Sequence, residues 1–217
     1  MPVRPSRLAL AALAVLMIAP IEARAADTVA WTCYRNDQYT ALATDNVDSV
    51  GTKFVTRKST GSLAADCMIE TRPTDIVLGE NRPDTSDMNA FYYSMLKDSF
   101  LILDDGTGTS RDLVIFDLKT GRKAFSGGYS VVQDAATVCE PRAQCGQSDE
   151  FSYDDTGLTF WRVTKQAAGP KTCPNFTKLK AAGKPTGTEP VIEEKSLFTF
   201  ATAQVTPLKG TRCVLRD

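Results

Sequence analysis

Histidine is absent from all 217 residues of this chain, and its absence limits the chemistry available to the protein. Without it there is no Ser-His-Asp or Cys-His nucleophile, no histidine-bound metal and no ordinary proton-transfer group near neutral pH. Carboxylate pairs, Ser-Lys dyads, tyrosine and cofactors remain.

Ser94 and Lys97 have the spacing of a Ser-Lys dyad on a helix, and Lys119-Thr120-Gly121 matches a second motif of serine β-lactamases. However, the Ser-Asp-Asn motif expected between them is absent, and the two motifs lie too close together for the helical domain of such enzymes. We predict no catalytic residue from this pattern.

Acidic residues supply the other route to catalysis. Two carboxyl groups that flank one cleft can hydrolyse a glycosidic bond. The candidates are Asp104, Asp105, Asp112, Asp117, Glu150, Asp154 and Asp155. However, Asp-Asp before a glycine is common in turns, where the carboxylate accepts a hydrogen bond from the backbone two residues on. A histidine-independent glycan hydrolase therefore remains our alternative hypothesis.

Metal and cofactor sites are not predicted. The six cysteines contain no Cys-x-x-Cys pair, and no histidine is present to complete a zinc site. The oxygen-rich turns at 84–89 and 104–112 do not have the ligand spacing of a calcium-binding EF-hand loop. We expect these turns to be solvated.

The cysteines are instead expected to form three disulfides. An even number of cysteines in an exported chain is typical of a disulfide framework. Sequence permits fifteen pairings of six cysteines. We favour pairing between sequence neighbours, namely Cys33–Cys67, Cys139–Cys145 and Cys173–Cys213.

The first 25 residues indicate export. Arg4 and Arg7 precede twelve apolar residues, from Leu8 to Ala19, and Ala23-Arg24-Ala25 has the small-x-small pattern of a signal peptidase site. The apolar run is shorter than the ~20 residues of a membrane-spanning helix, so no membrane span is predicted. We expect cleavage near Ala25 and a periplasmic or extracellular location.

The charge of the mature chain argues against nucleic acid as a partner. Cleavage removes three arginines and one glutamate, which leaves 22 basic and 25 acidic residues and a formal charge of −3. The basic residues are scattered along the sequence. A nucleic-acid-binding protein usually has them clustered on one face.

Short β-branched and aromatic segments separated by turn residues predict a mainly β fold. We expect an antiparallel sandwich or irregular barrel, stapled by disulfides, as one domain over residues 26–217. The predicted strands are 29–35, 53–57, 67–70, 75–78, 99–104, 111–118, 122–129, 150–153, 158–164, 197–200, 203–205 and 211–215. A helix is predicted over 174–182, whereas 86–96 fits either a short helix or a strand.

These features favour an exported, non-enzymatic binding protein that recognises a protein or glycan partner. The loop between Cys139 and Cys145 would be pre-organised by its disulfide, which lowers the entropic cost of binding, and Arg142 lies near its tip. Tyr129 and Trp161 combine a large apolar body with a polar tip, as binding faces often do. Arg142, Tyr129 and Trp161 are therefore the predicted binding residues.

Overall fold

The computed structural model describes residues 30–47, 49–80, 89–108, 110–130 and 151–217. Two antiparallel sheets pack together, which confirms the predicted mainly β fold. The predicted leader, Arg142 and the Cys139–Cys145 pair lie outside the described residues. The other two predicted disulfides, Cys33–Cys67 and Cys173–Cys213, are present.

The smaller sheet has four strands in chain order and carries apolar residues on both faces. Its inner face presents Ala41, Ala43 and Phe54 to the core between the sheets, whereas Leu42 and Val55 point to the outer face. Its strands are β1 (Thr32–Arg35), β2 (Tyr39–Asp45), β3 (Thr52–Lys58) and β4 (Ile76–Leu78). A short helix, α1 (Leu63–Asp66), lies between β3 and β4.

The larger sheet has eight strands in the order β12-β11-β10-β8-β7-β6-β5, and β9 pairs with β10. A second helix, α2 (Phe176–Gly183), precedes β11 and packs against β11 and β12. The strands are β5 (Phe91–Lys97), β6 (Phe100–Asp105), β7 (Arg111–Asp117), β8 (Arg122–Tyr129), β9 (Phe151–Tyr153), β10 (Gly157–Val163), β11 (Glu189–Thr199) and β12 (Gln204–Arg216).

Both faces of the central strands β6 and β7 are apolar. Val114 and Phe116 join the core shared with the smaller sheet. Leu113 and Ile115 belong to a second core on the opposite face. This alternation follows the two-residue period of a strand.

The larger sheet curls over its own second core. Phe100 of β6 contacts Phe198 of β11, with ring centroids 5.2 Å apart, although β7, β8 and β10 separate these strands in the sheet. Phe125 and Phe160 meet in the same core at 5.4 Å. In the described part of the chain the curled sheet does not close, so the sandwich is the better of the two predicted forms.

The long edge strand β12 is interrupted by a bulge. Glu194 pairs with Thr211 and Ser196 with Pro207, so residues 208–210 of β12 lie opposite the single residue Lys195. Leu208 is 40 % exposed there. The bulge divides the edge into two separate ladders.

Several expectations about local structure were wrong. Strand β11 begins at Glu189 rather than at 197, and the predicted strands 203–205 and 211–215 are both parts of β12. Residues 67–70 do not form a strand, because Cys67 caps α1 and the chain then crosses the outer face of the smaller sheet. Strand β2 was not predicted, since its alanines have low β propensity. Burial of Ala41 and Leu42 between neighbouring strands outweighs that propensity.

The ambiguous segment 86–96 contributes strand β5, which places Ser94 and Lys97 on a strand rather than one helical turn apart. The Lys97 ammonium donates a hydrogen bond to Asp155 at 2.8 Å. Among the described residues no helix is both long and apolar enough to cross a membrane.

Close packing of β10 against β11 provides a test of the fold. A Cβ at Gly157 would lie 2.2 Å from the backbone oxygen of Phe198, whereas one at Gly169 would meet nothing closer than 4.0 Å. We therefore expect Gly157→Ala to lower the free energy of unfolding by about 2–3 kcal/mol and Gly169→Ala to change it little. Urea unfolding of both variants measures the difference, and equal midpoints would contradict this packing.

Candidate binding surface

Residues 59–75, which we call the lid segment, connect β3 to β4 and cross the outer face of the smaller sheet. Arg57 of β3 points into this layer and donates hydrogen bonds to the backbone oxygens of Met68 (2.8 Å) and Glu70 (3.0 Å). The lid segment supplies only four helical residues of its own. Its position therefore depends on side chains that reach it from the sheet.

The Arg57–Asp75 ion pair is the most deeply buried of these contacts. Arg57 Nη2 lies 2.6 Å from Asp75 Oδ2, and the side chains are 2 % and 0 % exposed. Asp75 Oδ2 also accepts a hydrogen bond from the backbone N–H of Arg72. Because burying an unpaired charge is expensive, each of these two charges is stable in the interior only while the other is present. The pair joins the end of the lid segment to β3.

A second set of contacts holds the first half of the lid segment. Asp66 is fully buried and accepts hydrogen bonds from the backbone N–H and hydroxyl of Thr60, at 2.8 and 2.7 Å. Arg35 Nη2 lies 3.2 Å from its other oxygen. Burial raises the pKa of Asp66, but these hydrogen bonds and the charge of Arg35 outweigh it, so the pKa is lower than usual.

The neighbouring disulfide Cys33–Cys67 ties α1 to strand β1, which makes the lid segment a fixed part of the structure.

The lid segment presents three large apolar side chains to solvent. Leu63, Met68 and Ile69 are 62 %, 45 % and 56 % exposed, and we call them the apolar patch. They fall within seven consecutive residues of a segment whose backbone is held by a disulfide and buried charges. A pre-organised apolar patch loses little conformational entropy when a partner covers it. This arrangement suits a protein-contacting surface.

Tyr129, one of the predicted binding residues, lies at the end of β8 and is only 5 % exposed. Its pKa is well above the ordinary value because of burial and the nearby charge of Asp104. Burial likewise raises the pKa of Asp104, although Arg111, which forms an ion pair with it, acts in the opposite direction. Tyr129 therefore belongs to a buried polar group at the border of the second core.

Trp161, the second predicted binding residue, lies on the opposite face of the larger sheet. Its neighbour Arg162 pairs with Tyr129 across the β8–β10 ladder, so the two aromatic residues point to opposite sides. The guanidinium of Arg212 lies 4.4 Å from the centroid of the Trp161 ring. Tyr129 and Trp161 were both predicted to be binding residues, but in the structure they lie on opposite faces of the larger sheet.

The buried carboxylates of the described residues each contact an arginine. Asp66 pairs with Arg35, Asp75 with Arg57, Asp104 with Arg111 and Glu193 with Arg212. Glu193 also accepts a hydrogen bond from the hydroxyl of Ser130 at 2.7 Å. Among the described residues, no group of three or more aspartate, glutamate or cysteine side chains lies close enough together to hold a metal ion. These carboxylates have clear structural contacts.

The sequence did not reveal the lid segment. Arg57 stands in a strand where an alternating pattern indicates only a surface position, and nothing in the pattern marks it as buried. Large apolar side chains such as Leu63, Met68 and Ile69 are usually buried, so the sequence gives no sign that these three are exposed. The one available signal was Cys67, whose disulfide required this stretch to return to β1.

Comparison with family models, with curated proteins and with solved structures finds no match for the chain. The lid segment and its contacts therefore carry the functional argument alone.

Loss of the Arg57 guanidinium should loosen the lid segment. Arg57→Met leaves the Asp75 carboxylate buried without its partner, and breaking one side of a buried pair costs about 3–5 kcal/mol. We expect a loss of that size in urea unfolding. Arg57→Met with Asp75→Leu removes both charges and should recover part of it. If the double variant is as unstable as Arg57→Met, an unpaired charge is not the cause.

Acidification should weaken the lid segment through Asp66. Because the folded-state pKa of Asp66 is lowered, its contribution is present at neutral pH and is lost as the pH falls through that pKa. We expect Asp66→Asn to be less stable than the wild type at pH 7, with the difference shrinking below about pH 4. Chemical unfolding across this range measures it, and a difference independent of pH would contradict the assignment.

Proposed function

We propose that this chain is an exported binding protein that recognises a protein partner through the apolar patch. The observation that carries the proposal is the exposure of Leu63, Met68 and Ile69 on a segment held by a disulfide and buried charges. The leader-like start of the sequence and the two disulfides are consistent with passage through an oxidising compartment. Periplasmic or extracellular location is part of the same proposal.

A protein partner is favoured over a glycan. Side chains of the patch are aliphatic or thioether groups, which fill apolar pockets, whereas sugar sites commonly use an open aromatic face. Trp161, the predicted aromatic candidate, is only partly exposed, and the guanidinium of Arg212 lies over one face of its ring. Burial of one large apolar side chain is worth about 1.5–3 kcal/mol, so three of them would support a specific contact.

The glycan hydrolase alternative has weaker support. A carboxylate mechanism needs two acidic groups that are free to act on substrate in one cleft. Of the candidates among the described residues, Asp104 pairs with Arg111, Asp112 with Arg216 and Asp155 with Lys97. Asp154 accepts hydrogen bonds from the backbone N–H groups of Thr156 and Gly157 in its own turn. Arg142, in the segment outside the described residues, remains a further predicted binding residue.

The proposal is tested by changing the apolar patch. We expect Leu63→Ser with Ile69→Ser to reduce partner affinity at least about 150-fold, because each of the two buried side chains contributes about 1.5–3 kcal/mol. Partners are recovered from periplasm or secretions with the oxidised mature protein, identified by mass spectrometry and titrated individually. The matched control is Val47→Ser with Leu208→Ser, which removes two exposed apolar side chains elsewhere.

Only a partner lost with the first pair and kept with the control supports the proposal. Retention of every partner by both pairs overturns it. Circular dichroism and unfolding must first show that both double variants keep the fold.

A further inference from the structure

The α2 region carries a concentration of positive charge. Residues 156–188 contain no aspartate or glutamate, and five lysines fall between 164 and 188. These residues, which we call the lysine surface, are Lys165, Lys171, Lys178, Lys180 and Lys184. The rest of the mature chain then contains 17 basic and 25 acidic residues. Positive charge is therefore concentrated in the stretch around α2, whereas the rest of the mature chain has a formal charge of −8 (17 basic minus 25 acidic residues).

All five side chains of the lysine surface are exposed. None forms an ion pair with a described residue, whereas Lys53 and Lys97 elsewhere in the chain pair with Glu80 and Asp155. Lys180 lies 5.7 Å from the ring of Phe176, its one aromatic contact. The charges are thus available to a ligand in solution.

The backbone beneath the lysine surface is fixed. The Cys173–Cys213 disulfide ties the start of this region to β12. At the other end of α2, a Cβ on Gly183 would lie 2.2 Å from the Thr188 backbone oxygen and 2.9 Å from Leu215, which shows how closely the helix approaches β12. Phe176 and Leu179 are partly buried while Lys178 and Lys180 are exposed. Lys178 and Lys180 are therefore carried by a helix that is anchored to β12 near both of its ends.

We propose that the lysine surface docks the protein onto an anionic phospholipid membrane without insertion. Lysine is a hydrated point charge, whereas arginine, which is absent from 163–188, suits bidentate recognition of one phosphate group. The lysines are irregularly spaced along two loops and a short helix, and laterally mobile headgroups can adapt to such spacing. No large apolar side chain of this region is among the exposed ones, so binding is electrostatic.

The acidic remainder of the molecule does not prevent this contact. Charges farther from the membrane than the Debye length, about 10 Å at 0.1 M salt, are largely screened. Lysines at the surface of an anionic bilayer each contribute about a fivefold gain in affinity. The proposal is independent of partner binding at the apolar patch, which lies on the other sheet.

Vesicle cosedimentation tests the proposal. Oxidised mature protein is mixed with phosphatidylcholine vesicles or with vesicles that also contain phosphatidylglycerol. We expect binding only to the anionic vesicles and its loss at high salt. Lys178→Gln with Lys184→Gln should lower the partition coefficient about 25-fold, at about fivefold for each lysine. The control, Lys58→Gln with Lys119→Gln, changes net charge equally at exposed sites elsewhere and should stay within about twofold.

Three outcomes overturn the proposal: no preference for anionic vesicles, an equal loss with both variant pairs, or retention on dextran sulfate without vesicle binding, which would indicate a polyanionic glycan ligand. Unfolding curves confirm that each variant is folded before binding is compared.

Discussion

Strands β6 and β7 are apolar on both faces, and the rest of the structure is arranged to cover them. Val114 and Phe116 need cover on one side, and Leu113 and Ile115 need it on the other. The smaller sheet covers the first face. The second face is covered by the larger sheet itself, which curls so that Phe198 of β11 contacts Phe100 of β6. A single pair of strands that is apolar on both faces thus accounts for both cores.

The smaller sheet, which covers one face of β6 and β7, has an apolar outer face that must itself be covered. Its own outer face carries Leu42 and Val55, both fully buried, and no third sheet is available within the described residues. The lid segment takes that role although it has little regular structure. A segment that cannot satisfy its carbonyl groups internally needs donors from elsewhere, and the Arg57 guanidinium supplies them. The exposure of Leu63, Met68 and Ile69 is a consequence of this arrangement.

Local sequence patterns predicted the parts of the fold that depend on local physics. The predicted strand at 111–118, the predicted helix at 174–182 and two disulfide pairings agree with the structure. Strand β2 was missed because its stability comes from neighbours distant in sequence. The same holds for the lid segment, since the burial of Arg57 and the exposure of Ile69 are consequences of how this segment crosses the sheet. The lysine surface was visible as composition but was not recognised as a cluster.

The bulge in β12 has a consequence for self-association. An exposed strand of this length would ordinarily present an unbroken row of amide and carbonyl groups that a neighbouring molecule could extend. In β12 the row is broken at residues 208–210, and Pro207 contributes no amide hydrogen. A strand of another molecule that paired in register with residues 204–206 would be out of register with residues 211–216. The interrupted edge is therefore a poorer template for strand addition by a second molecule than an unbroken strand of the same length would be.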